Sequence, residues 1–241
     1  MSAETGAHRP ERAVVFGANG GIGGALVTAL AQRGFDVVAI ARGEIPAAAA
    51  SRLRADIEDE ASIITAAQAL AQGAPITRVF VATGLLHAAG VAPERSNADL
   101  DPAQMMRLFA VNAIGPALVA KHILPLLPKS GRSVFAVLSA RVGSIGDNRL
   151  GGWHSYRASK AALNMLIRTL SIELARTRPE AILVGLHPGT VDTGLSKPFQ
   201  ARVPDLFTPA QSADYLLDVI ETLKPVDSGH VFAWNGCRIP D

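Results

Sequence analysis

The tightest constraint on the fold of this chain is a repeated alternation of two kinds of segment. Short apolar runs at residues 14–16, 35–41, 78–82, 134–138, 182–186 and 231–234 are separated by stretches of helical character at 20–33, 59–72, 102–127, 156–176 and 209–223. In the first of these stretches Ile22, Leu26 and Leu30 recur four apart on one face. Pro128 and Gly131 end the third, Pro179 lies just beyond the fourth, and Thr208 is placed to cap the fifth. Strands alternating with helices of about ten residues or more predict a parallel sheet covered on both faces. The expected architecture is a single-domain, doubly wound α/β fold. Sheets of that kind bind ligands outside the carboxyl ends of their strands.

Composition supports one domain. The chain has 241 residues, 49% of them hydrophobic, so it can bury a sizeable core. Residues 1–12 read as a loose polar tail and 13–241 as the folded unit, with no repeat or linker dividing it. The net charge of +2 and the lack of a Lys/Arg block argue against nucleic acid or an anionic membrane as partner. No apolar stretch approaches the roughly 18 residues of a membrane helix, and the N-terminus lacks the apolar run of a secretory signal. The only cysteine, Cys237, excludes an intrachain disulfide. A cytoplasmic location is the expectation.

The first strand runs into Gly17-Ala18-Asn19-Gly20-Gly21-Ile22-Gly23-Gly24 and then into a helix. A turn free of side chains brings backbone N–H groups and a helix N-terminus against phosphate oxygens. Gly17, Gly21 and Gly23 form a G-x-x-x-G-x-G pattern, and the strand before and helix after distinguish it from a purely structural turn. This points to a Rossmann-type dinucleotide site with Gly17, Asn19, Gly20, Gly21, Ile22 and Gly23 at its loop. A carboxylate at the end of the second strand would bind the ribose of NAD; here the chain reads Ala41-Arg42. A guanidinium can clamp a 2′-phosphate with paired hydrogen bonds, so NADP(H) is the preferred cofactor and NAD(H) a possible one. The plainer reading of Arg42 is a solvated side chain near Glu44.

Chemistry enters with Tyr156 and Lys160, four apart on one helical face. A phenol with its ordinary pKa near 10 exchanges protons poorly at neutral pH, and a nearby ammonium favours the phenolate. Tyr-x-x-x-Lys alone is common by chance. Ser139, at the end of the strand expected over 134–138, reaches the same carboxyl-end crevice. Asn112 sits inside the long helical stretch, where its poor propensity suggests a bent backbone or a bound water.

With these residues in order, the sequence resembles the short-chain dehydrogenase/reductase family from residue 13 onward. The resemblance rests on the Gly17/Gly21/Gly23 loop, Asn112, Ser139, Tyr156, Lys160 and the run Pro188-Gly189-Thr190-Val191-Asp192-Thr193. The stretches 146–153 and 190–199 are similar to the C-factor-like or sniffer-like carbonyl reductase branch. The resemblance implies hydride transfer between a nicotinamide cofactor and a small carbonyl or alcohol substrate. It makes Tyr156 the proton donor, and Lys160 the group that lowers its pKa and holds the nicotinamide ribose. Ser139 would orient the substrate oxygen and Asn112 anchor a relay water. Asp56 and Ile57 would meet the adenine, while Pro188, Gly189, Val191 and Thr193 would shape the carboxamide pocket.

Two departures from the family pattern stand out. Its Asn-Asn-Ala-Gly after the fourth strand is here Val81-Ala82-Thr83-Gly84, keeping Gly84 but losing both asparagines, with Ala82 and Thr83 in the cofactor wall. The segment between Arg42 and Asp56, with Pro46 and a run of alanines, leaves little room for a third crossover helix. Trp153 and His154 are candidate substrate-pocket residues, and His187 reads as packing. Six scattered histidines give no ligand spacing for a metal. Ala158, Ala161 and Ala162 permit close helix approach, consistent with the homodimers or homotetramers common in the family or with a buried intrachain face. A dinucleotide-binding sensor with incidental turnover is the alternative function, and an epimerase or dehydratase that keeps its cofactor is a third.

Overall fold

The computed structural model describes residues 11–45, 48–88, 91–201 and 204–241. The chain runs β1 (Arg12–Phe16), α1 (Gly21–Gln32), β2 (Asp36–Ala41), β3 (Ser51–Arg54), α2 (Glu60–Ala71), β4 (Ile76–Val81), α3 (Pro102–Phe109) and α4 (Gly115–Ile123). It continues with β5 (Ser133–Leu138), α5 (His154–Ala175), β6 (Ala181–His187), β7 (Thr190–Val191), β8 (Leu206–Phe207), α6 (Pro209–Thr222) and β9 (Val231–Ala233). Seven strands form a parallel sheet in the order β3-β2-β1-β4-β5-β6-β9, and β7 pairs with β8 apart from it. The strand order reverses at β1, so the crevice between the carboxyl ends of β1 and β4 is the switch point at which such sheets take ligands.

Successive residues of each strand serve opposite faces. Val14 and Phe16 of β1, with Phe135 and Val137 of β5, pack on the side of α2, α4 and α5. Ala13 and Val15, with Val134, Ala136 and Leu138, pack on the side of α1 and α6. Because both faces are covered, the strands read as continuous apolar runs rather than as an alternation. Thr208 caps α6 in a reciprocal pair with Gln211, and Asp59 caps α2.

Two expectations need correction. The tail ends before residue 12. Arg12 opens β1 and donates two hydrogen bonds to Asp36, and the carbonyl of Glu11 accepts from the Asp36 N–H. Residues 1–10 lie outside the described residues. Strand β3 is absent from the sequence reading because only Leu53 of its four residues turns inward, as befits an edge strand paired on one side. Among the described residues no helix joins β2 to β3, in keeping with the short segment; Pro46 lies outside them.

The helix expected over 102–127 is continuous but irregular. Between α3 and α4 it widens into a π turn at Ala110–Ile114, and it ends in a tight turn at Leu124–Leu126. By length and composition this run could cross a membrane, yet half of its most apolar window is buried against the rest of the protein. Gly115 begins α4 directly over the loop that follows β3. A Cβ there would sit 2.4 Å from Ile57 Cγ1 and 2.8 Å from the Ile57 carbonyl. Gly115→Ala therefore overpacks this contact and is expected to cost about 1–3 kcal/mol of stability, read as a lower denaturation midpoint. An unchanged midpoint would mean that the contact carries no such constraint.

Candidate active site

Three adjoining cavities of about 200, 410 and 320 Å³ make one trough along the carboxyl ends of the strands. Asn19, Gly20, Ala82, Thr83 and Gly84 wall both the first and the second. Ile22, Ser139, Tyr156, Pro188 and Thr193 wall both the second and the third. The glycine turn forms the floor at the β1 end. Gly17 has φ +79°, which only glycine adopts freely, and a Cβ on Gly23 would lie 2.1 Å from the Gly17 carbonyl oxygen. Helix α1 starts at Gly21 with no side-chain cap and no carboxylate in its first turn, leaving its N–H groups for an anion. A Cβ on Gly21 would meet Thr193 at 2.6 Å, so the turn and the loop after β6 close on each other without side-chain material between them. The Thr83 hydroxyl in the same wall is buried with no hydrogen-bond partner. The turn, the open helix end and the orphaned hydroxyl suit a dinucleotide's phosphates and polar groups.

Arg42 and Ile57 wall the first cavity, together with Glu58 and Arg107, which the sequence reading did not single out. Asp56 does not. Its carboxylate accepts from the Glu58 N–H at 3.0 Å and lies 3.6 Å from Arg42 Nη1. Of the loop after β6, Gly189 and Val191 fall in the third cavity rather than the second. Gly23 works from beneath, through its contact with Gly17.

Asn112, within the π turn, is fully buried. Such turns concentrate at functional sites. Its Oδ1 accepts from Leu85 N at 2.8 Å, and its Nδ2 donates to Leu85 O at 2.8 Å and Ser159 Oγ at 3.1 Å. The side chain thus clamps the loop after β4 to α5, which the expected bent backbone makes possible. Lys160 is 3% exposed, and its Nζ donates to Leu138 O at 2.8 Å and sits 5.9 Å from the centre of the Tyr156 ring. Gly84 leaves the intervening space open, since a Cβ there would stand 3.8 Å from Asn112 Oδ1 and 4.0 Å from Lys160 Nζ. Ser139 Oγ donates to Asn164 Oδ1 at 2.6 Å, a partner the sequence reading missed.

The third cavity is mainly apolar, with Leu86, Val142, Leu195 and Phe199 beside Trp153 and Tyr156. Trp153 packs edge-on against both Phe199 and Tyr156. His154 is not part of this wall; its Nδ1 is buried without a partner, away from the trough. His187, read from sequence as packing, does line the cavity, and burial, aided by the Arg141 charge, lowers its pKa to about 4. Glu94 is a second omission. Only 2% exposed, it accepts from the Ser155 N–H and hydroxyl and from Gln104 Nε2, while its carbonyl takes the Trp153 N–H at 2.7 Å. Burial raises its carboxyl pKa, but these hydrogen bonds outweigh burial and leave it below its ordinary value. No cluster of His, Cys, Asp or Glu suits a metal among the described residues.

The pKa directions correct the expectation for the tyrosine. Burial pushes the Tyr156 phenol up, and the same burial brings Lys160 down to about 8. Tyr156 is therefore a protonated donor at neutral pH. For Lys160 the folded value lies below the ordinary 10.5. Between the two values the unfolded chain holds a proton that the folded one does not, so this residue's contribution to stability rises with pH from about 8 upward. The wild-type denaturation midpoint should gain on that of Lys160→Met between about pH 7.5 and 9.5. A constant difference across that range would mean that the ammonium is not desolvated.

Comparison with known proteins places this geometry. The short chain dehydrogenase family matches residues 11–203. The C-signal protein of Myxococcus xanthus is 40% identical over 144 residues, 59% of this chain and 81% of that protein. A 1-hydroxy-2-glutathionyl-2-methyl-3-butene dehydrogenase of Rhodococcus sp. (strain AD45) is 33% identical over 221 residues, 90% of this chain and 93% of that one. The NADPH-bound carbonyl reductase from chicken fatty liver superposes with a TM-score of 0.82 at 26% identity, covering 97% of this chain and 100% of that one. The chain belongs to the short-chain dehydrogenase/reductase family of oxidoreductases, with carbonyl-reductase-like proteins among its relatives.

Proposed function

We propose that the protein is an NADPH-preferring reductase of a small carbonyl compound, able in principle to run in reverse. The observation that carries this reading is the position of Ser139 and Tyr156 in the wall between the phosphate-suited cavity and the apolar one. Bound reduced nicotinamide would supply a hydride to the carbonyl carbon. Tyr156 gives its proton to the carbonyl oxygen, and the resulting phenolate is stabilised by the Lys160 ammonium. Ser139 orients that oxygen, Asn112 holds the loop after β4 in place and anchors water for the proton relay, and the apolar third cavity excludes other water. Val191, Thr193 and Pro188 would support the nicotinamide end. Assembly as a homodimer or homotetramer belongs to the same reading; exposed Met165 and Ile172 on α5, with Met106 on α3, support it.

Support for the 2′-phosphate comes from Arg42 in the first cavity and from the NADPH-bound relative. Tyr156→Phe should reduce turnover of an aldehyde and ketone panel by about a hundredfold or more while NADPH still binds. Retained turnover in that variant would refute the role of the phenol. A wild-type protein that binds NADPH tightly but reduces no panel member would favour the sensor reading, to which the C-signal relative lends weight. Arg42→Ala should weaken NADPH by roughly threefold to tenfold and leave NADH nearly unchanged. Equal weakening of both would remove Arg42 as the phosphate ligand.

A further inference from the structure

Ser139 has little freedom. Its backbone N–H is fixed on Leu186 O at 2.8 Å, its side chain is 4% exposed, and Gly185 on β6 lies directly behind its Cβ. What remains variable is the direction of one hydroxyl proton. That proton is directed to Asn164 Oδ1 at 2.6 Å. Asn164 follows Tyr156 and Lys160 at the same spacing of four along α5, so all three share one helical face. It walls none of the three cavities and so acts only through Ser139.

A hydroxyl has one proton to donate and two lone pairs to accept with. With its proton committed to Asn164, Ser139 offers lone pairs to the trough. An alcohol can donate to such a lone pair without disturbing anything. A carbonyl oxygen only accepts, so it engages Ser139 only after drawing the proton away from Asn164. We propose that Asn164 is a positioning residue that sets the hydrogen-bond polarity of Ser139, and with it the relative affinity of the site for the alcohol and carbonyl forms of one substrate. This rests on the reading of Ser139 as the group that meets the substrate oxygen.

The overall equilibrium is fixed by solution thermodynamics, so the effect falls on the two binding constants in opposite directions and is balanced within the turnover numbers. Asn164→Leu removes the acceptor at similar volume. It should lower KM for a carbonyl substrate with NADPH and raise KM for the matching alcohol with NADP, each by about twofold to tenfold. Asn164→Asp supplies a stronger, charged acceptor and should shift both the other way. A packing role would impair both directions together. The idea is overturned if the two KM values move together in Asn164→Leu, or if its shifts persist in a Ser139→Ala background. Should the wild-type protein turn over nothing, the functional reading fails by itself. The denaturation midpoints of wild type, Ser139→Ala, Asn164→Leu and the double variant then still decide: strict additivity would mean that the bond constrains nothing, whereas coupling retains it.

Discussion

An ammonium buried to 3% exposure, with a neutral carbonyl as its hydrogen-bond acceptor, is an expensive thing to place inside a protein. Lys160 bears this cost in its lowered pKa, and much of the site is arranged to allow it. The end of β5 sets the Leu138 carbonyl that accepts its hydrogen bond. Gly143, in the turn after β5, lets α5 come close, since a Cβ there would lie 2.8 Å from Lys160 Cβ. Once the register of α5 is fixed by that lysine, Tyr156 and Asn164 are fixed one turn to either side, and Ser159 is presented to Asn112. The placement of Tyr156, Ser159, Lys160 and Asn164 thus follows from one docking event between α5 and the carboxyl edge of the sheet.

Much of this architecture was legible in the sequence, for physical reasons that also explain the omissions. Strands buried on both faces have to be apolar throughout, and helices between them have to carry one apolar stripe, so the alternation is hard to disguise. Strand β3 escaped because an edge position with one inward residue leaves no such signature. The glycines at 17, 21 and 23 are visible since close backbone approach admits nothing else. Asn164 could have been found by continuing the spacing of four beyond Lys160. Glu94 could not, because its partners on α3 and α5 are distant in the chain and meet it only in the fold.

Glu94 also explains why Trp153 reaches the cavity whereas its neighbour does not. Trp153 is the N-cap of α5 and the one non-glycine residue with positive φ among those described, at 52°, and its side chain makes no cap. The cap comes from across the chain: Glu94 accepts from the Ser155 N–H, and its carbonyl fixes the Trp153 N–H. A left-handed tryptophan costs on the order of 1–3 kcal/mol and persists only where its surroundings determine it. Here those surroundings are the carboxylate and the aromatic contact with Phe199. The turn places the indole in the wall of the third cavity, while the helix begins at the following residue, His154, which does not line it.

The end of the trough at Arg42 is less strictly determined. Arg42 is 67% exposed, and Nη1 lies 3.6 Å from Asp56 and 3.9 Å from Glu58. A guanidinium so exposed works against water at high dielectric, and a 2′-phosphate approaching it would also meet two carboxylates. Attraction to one group is offset by repulsion from its neighbours, so discrimination between the two dinucleotides at this end has to be modest. On the proposed reading, the glycine turn and α1 N-terminus would by contrast engage the pyrophosphate that both share. On that reading, binding strength and cofactor choice would be carried by different ends of the trough, the first by backbone and the second by side chains that a single exchange can retune.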